Sequence, residues 1–135
     1  MMHTVKQLLR ATRRSAQLAE QLAEMVDNEM WKQQLALYLE DIQRQYQLWQ
    51  YIHHLLAGAY EESVVEEKTV KASVADFVHA LCCNELEKGM LCQRASEKLS
   101  GAARKAADQS LQQAIQYSRL FFTMMQTQLV PQIER

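Results

Sequence analysis

The chain has 135 residues, 48% of them apolar, a formal net charge of -1, three glycines and one proline. A domain of this size can bury a core of its own, and a near-neutral charge balance gives no reason to expect nucleic acid or an anionic membrane as partner. So few turn formers, in a background of Ala, Leu, Gln, Glu, Lys and Arg, point to an almost wholly helical chain.

The first helix is expected from His3 to Val26, with Val5, Leu8, Thr12, Ser15, Ala19, Leu22 and Val26 on its inner face at spacings of three and four. Lys6, Arg10, Arg13 and Arg14 break every apolar run near the N-terminus. No stretch there reads as a secretion signal, none approaches a membrane span, and a cytoplasmic protein is expected. Glu20 and Glu24 follow these arginines on the same helix, so the charges read as a solvated face.

Asp27 and Asn28 supply a break and a side-chain cap, and the second helix runs to Gly58, a residue suited to a left-handed terminus. Its inner stripe is Trp31, Leu35, Tyr38, Ile42, Gln45, Trp49, Ile52 and Leu56, which sets the Gln45 amide among aromatics and aliphatics. A buried amide requires a hydrogen-bonding partner. Of the adjacent His53 and His54, one is expected to cover the end of the seam and the other to meet solvent. The short break makes the first two helices an antiparallel hairpin, and Ala59 to Lys71, acidic and β-branched, reads as a longer crossing link.

Ser73 caps the third helix, whose inner stripe is Val74, Val78, Leu81, Glu85, Lys88, Cys92, Ala95 and Leu99. Two charges therefore stand on or beside a core face, at a spacing that lets Lys88 balance Glu85. Ser100 and Gly101 end this helix, and the fourth is expected from Ala102 to Leu129, closed by Pro131, with Ala106, Ser110, Gln113, Tyr117, Leu120 and Met124 inward. Three cysteines, Cys82, Cys83 and Cys92, are odd in number and suit reduced thiols. The expectation is one domain, residues 1–135, folded as an all-α antiparallel four-helix bundle of two hairpins.

The segment Asn28-Glu29-Met30-Trp31-Lys32-Gln33-Gln34, then Asp41 through Ile52 and Leu55-Leu56-Ala57-Gly58, resembles the second helix of short bacterial ferritin-like proteins related to rubrerythrin. The likeness extends to Leu18 through Met25 and to Asn84-Glu85-Leu86-Glu87. In that family a Glu and a His of the second helix bind a di-iron or di-manganese centre. Aligned on Asp41 and Tyr46, the resemblance puts the bridging Glu at Ile42 and the His at Gln45; the first-helix Glu falls on Thr12, and a second Glu-x-x-His on Ser110 and Gln113. Glu85 alone retains a ligand type.

Two cations exchange their water shells only for several anionic oxygens and imidazoles. The expectation is accordingly no cofactor, and a polar cluster of Thr12, Gln45, Glu85, Lys88, Ser110 and Gln113 beside Ile42, with Glu85 bonded to Gln45 or Gln113. No phosphate loop, nucleophile elbow or metalloprotease helix is present. The resemblance then implies a non-catalytic bundle with a structural or protein-binding role, in the cytoplasm or, as in some relatives, associated with the spore coat. A homodimer or another protein partner is expected, with Tyr46, Tyr51 and Tyr60 on an outer face. The competing reading is an iron or manganese oxidoreductase drawing ligands from Glu40, Asp41, Glu85, Glu87 and the histidines. A thiol sensor built on the three cysteines is a third.

Overall fold

The structure, a computed structural model, describes residues 1–61 and 73–133, with side chains placed as far as Thr127. The described residues form four helices: α1 (Met2–Met25), α2 (Glu29–Ala57), α3 (Val74–Lys98) and α4 (Gly101–Ile133). Local chemistry fixes most of their ends. The Asn28 side chain accepts a hydrogen bond from the Trp31 amide at 3.1 Å, and the Ser73 hydroxyl accepts one from the Asp76 amide at 3.2 Å. Gly58 ends α2 at φ 76°, the left-handed conformation in which a Cβ is strained.

Helices α1 and α2 form one antiparallel hairpin and α3 and α4 the other, and the second pair is the more closely packed. At the point where α3 and α4 approach, a Cβ on Gly89 would stand only 3.7 Å from Ala114 Cβ. The hairpins join through α1 and α3, while α2 and α4 touch sparsely. Residues early in α1 share a cluster with residues late in α3, so these two helices are antiparallel as well. The order of directions is up, down, down, up. Gly58 therefore lies at the Val5 end of the bundle and Ser73 at the Val26 end. From residue 62 onward the expected crossing link lies outside the described residues, but its two attachment points stand at opposite ends, as a crossing requires.

Two apolar clusters fill the interior. One packs Leu22, Leu35, Tyr38, Ile42, Phe77, Val78, Leu81, Phe121 and Met124; the other packs Val5, Leu8, Leu9, Trp49, Ile52, Leu91, Cys92 and Ala95. Burial of these side chains is the main stabilising contribution, on the order of 1.5 to 3 kcal/mol for each large one. Between the clusters lies a layer of buried polar groups.

Four expectations are corrected. Leu56 shares the phase of the inner stripe but is exposed, because α2 outruns the core there, and His53 is buried in its stead. The buried stripe of α4 is shifted by one residue: Ala107, Ser110, Ala114, Ser118, Phe121 and Met124 are buried, whereas Ala106, Gln113, Tyr117 and Leu120 are half-buried. The small residues at 107, 114 and 118 are what let α3 come close. Tyr46 is half-buried against the second cluster rather than outward, while Tyr51 and Tyr60 are exposed. Finally, α4 continues past Pro131 to Ile133. The ring fixes a helical φ, and its missing amide removes one bond of a terminal turn.

Candidate functional site

The polar layer is built around Glu85, whose side chain is fully buried. Its position follows from helix periodicity: Leu81, Glu85, Lys88 and Cys92 fall on one face of α3 at spacings of four, three and four. Lys88 Nζ donates to Glu85 Oε1 at 2.8 Å, and Lys88 is itself only 2% exposed. The Tyr38 hydroxyl from α2 donates to the same oxygen, and the Ser15 hydroxyl from α1 does so at 3.3 Å. Three helices thus meet at one carboxylate oxygen. The other, Oε2, has no hydrogen-bond partner among the described residues.

Asn84 extends the group toward α1. Its amide nitrogen donates to the Ala11 carbonyl at 2.8 Å and to the Ser15 hydroxyl at 2.6 Å, and its oxygen accepts from Arg14 Nη1 at 3.3 Å. Arg14 also stands 3.6 Å from Glu87. On the far side, Tyr38 packs edge-on against Tyr117 and Phe121, with ring centroids 4.7 and 5.0 Å away. Burial, followed by the Glu85 charge, raises the Tyr38 hydroxyl well above the ordinary phenol range, which keeps it a donor. Tyr117 is raised by burial and by its hydrogen bond to Asp41, which in turn pairs with Arg44 at 3.1 Å.

The residues expected as a single cluster do not meet as one. Glu85 and Lys88 belong to the group just described. Gln45 donates to Gln113 Oε1 at 2.7 Å, forming a second tie across the sparse α2 and α4 contact. Thr12 satisfies itself by donating to the Leu8 carbonyl at 2.6 Å, and Ser110 is buried on α4. Ile42 is 1% exposed in the apolar cluster. The expected bond from Glu85 to Gln45 or Gln113 is replaced by the bonds from Tyr38 and Ser15, because Glu85 faces α1 and α2 above the glutamine pair. Tyr38 was legible only as core: its hydroxyl meets a partner 47 residues away, and no local pattern announces that. Asn84, directly beside Glu85, gave equally little sign.

This donor set does not fit a dinuclear iron or manganese centre. The one carboxylate oxygen with partners already receives an ammonium and two hydroxyls, and Lys88 sets a positive charge where a cation would have to enter. Among the described residues no three His, Cys, Asp or Glu side chains converge as a metal site would need. The cysteines do not converge either: Cys82 and Cys92 are buried, and Cys83 is exposed with its sulfur 3.7 Å from His79 Nε2. Burial pushes the Cys92 thiol up to about 12, and it raises Cys82 as well.

The remaining candidates lie on the surface. A groove of about 680 Å³ between α1 and α2 is lined by Thr12, Arg13, Ala16, Leu39, Ile42 and Tyr46, among others. Leu37, Tyr51 and Leu55 are exposed on α2, and Leu86, Met90 and Phe122 on α3 and α4. No described helix is long and apolar enough to cross a membrane. No family model matches this chain, and neither a curated protein nor a solved structure does.

Proposed function

We propose that this chain is a non-catalytic helical bundle with a structural or protein-binding role, derived from a ferritin-like ancestor whose metal ligands have been replaced. The observation that carries this reading is the pairing of Glu85 with Lys88 inside the core. A buried carboxylate with its own internal counter-ion is neither a vacant ligand nor an available base. The down-down relation of α2 and α3 supports the ancestry, and the neutral pair Gln45 and Gln113 supports the replacement.

Binding would use the apolar side chains left outside the bundle. Phe122, Leu86 and Met90 flank the contact of α3 with α4, and each is at least half exposed. The partner is another protein or a second copy of the chain, in the cytoplasm or at the spore coat. Metal analysis of protein purified without chelator is the test: far less than one equivalent of iron, manganese or zinc is expected. Two tightly held ions per chain would overturn the reading in favour of an oxidoreductase.

A further inference from the structure

We infer that His53 and Glu61 form a pH-sensitive clasp that fastens the chain leaving α2 back onto the bundle. His53 is 4% exposed near the end of α2. Its Nδ1 stands 2.6 Å from the Ala59 carbonyl oxygen, and its Nε2 stands 2.9 Å from Glu61 Oε2 as a close ion contact out of line for a hydrogen bond. Both neighbours are acceptors. A neutral imidazole has one N–H, so it can serve only one of them and must turn a lone pair toward the other. The imidazolium serves both, as N–H donor to the carbonyl and as counter-charge to the carboxylate.

Glu61 is held from two further sides. Its amide donates to Gln50 Oε1 at 2.9 Å, and its carbonyl accepts from Gln50 Nε2 at 3.1 Å, a reciprocal pair that fixes the backbone at residue 61 to the flank of α2. Gln50 Nε2 also donates to the Tyr46 hydroxyl at 3.1 Å. Lys6 Nζ of α1 lies 3.9 Å from Glu61 Oε2, the other cation facing this carboxylate among the described residues. On α2, His54 stacks on Tyr60 with ring centroids 4.7 Å apart. From α3 and α4 this end of the core receives Leu91, Cys92, Ala95 and Ala107; the Cys92 thiol, raised by burial, stays neutral here, and Met1 of the chain's amino end packs against the same cluster. With His53 charged, Glu61 faces two cations. With His53 neutral, one of the two acceptors must face a lone pair, and Glu61 loses one of its two cations among the described residues and keeps the longer Lys6 contact.

The clasp is therefore closed at the acidic end of the range over which imidazole changes charge, about pH 5 to 8, and loosens toward its alkaline end. Amide exchange with protection factors reads this directly on the full chain. In the unmodified protein the Glu61 amide should lose about tenfold in protection between those limits, while amides in the middle of α3 keep theirs. Glu61→Gln should hold one protection value across the range, because a neutral amide can pair with the imidazole in either charge state. His53→Gln should do the same, since it keeps a donor for the Ala59 carbonyl but never charges. Protection at Glu61 that is flat with pH in the unmodified chain would overturn the clasp. So would a pH dependence that survives unchanged in Glu61→Gln or in His53→Gln.

Discussion

Lys88 Nζ and Glu85 Oε1 face each other at 2.8 Å across one turn of α3, and neither side chain reaches solvent. A pair of this kind contributes little net stability, since desolvating two charges offsets most of their attraction. Its asymmetry is what matters. Glu85→Gln leaves Lys88 buried without a counter-charge and should destabilise the fold by about 3 to 5 kcal/mol. The double variant Glu85→Gln with Lys88→Met removes both charges while the new carbonyl can still accept from Tyr38, and should recover most of that loss. Denaturant midpoints of the two singles and the double measure the coupling; additive losses would show that the two residues act independently.

The Gln45 and Gln113 pair is less exacting. Gln113 is only half-buried and can turn to water when its partner is removed. Gln45→Leu should then cost about 1 kcal/mol, the ordinary worth of one such bond. A loss several times larger, read from the thermal midpoint, would mean that Gln113 is trapped.

Thiol chemistry should select one cysteine of three. Cys83 is exposed, whereas Cys82 and Cys92 are buried with raised thiol pKa values. At pH 8 a small alkylating reagent should label Cys83 in the folded protein and reach the other two only after denaturation. Peptide mapping by mass spectrometry settles the count.

Alkaline pH should weaken the fold in two stages. Cys92 moves from an ordinary 9.0 to about 12 in the folded chain, so the unfolded chain loses this proton first. Its contribution is fully present below pH 9 and is lost as pH rises toward 12, at a limiting slope of about 1.4 kcal/mol per pH unit. Tyr38 and Tyr117, both raised from 10.0, add to the decline above that value. Cys92→Ala should reduce the first stage, at the cost of a small cavity, and leave the share due to Cys82, which is also raised from 9.0. A thermal midpoint that holds constant from pH 8 to 11 would contradict this account.

Gly89 is a place where the chain can be improved. A methyl added there meets Ala114 and Leu111 at 3.7 Å, an ordinary contact distance, and the helix gains a better former. Gly89→Ala should stabilise by roughly 0.5 to 1 kcal/mol, and a bulkier residue should not, because it would force α3 and α4 apart.

Much of this architecture was legible from side-chain spacing. Asn28, Gly58 and Ser73 act as terminators through chemistry local to each, so the helix ends they govern could be read in advance. The inner face of α1 could be read for a similar reason, since its apolar residues are large and unopposed. On α4 the large residues misled. Tyr117 and Leu120 weigh heavily in any apolar pattern, but the helix turns Ala107, Ala114 and Ser118 inward toward α3 and leaves those two half-buried. The polar layer was half visible: a charge on an inner stripe announces a partner, and Lys88 was near enough in sequence to be one. Tyr38 and Ser15 were not identifiable as the others, because the meeting of three helices at one oxygen is a property of the assembled bundle.

The packing of α3 on α4 around Gly89 and Ala114 also bears on how the chain reaches this state. α3 and α4 are joined by only two residues, Leu99 and Ser100, so their many contacts form between segments near in sequence and need little loop closure. The α2 and α4 contact should form late by the same logic, since it is sparse and its side-chain bonds join residues 68 and 76 apart in sequence. Substitutions at Gly89 or Ala114 should therefore alter the refolding rate, whereas those at Gln45 should mainly alter the rate of unfolding.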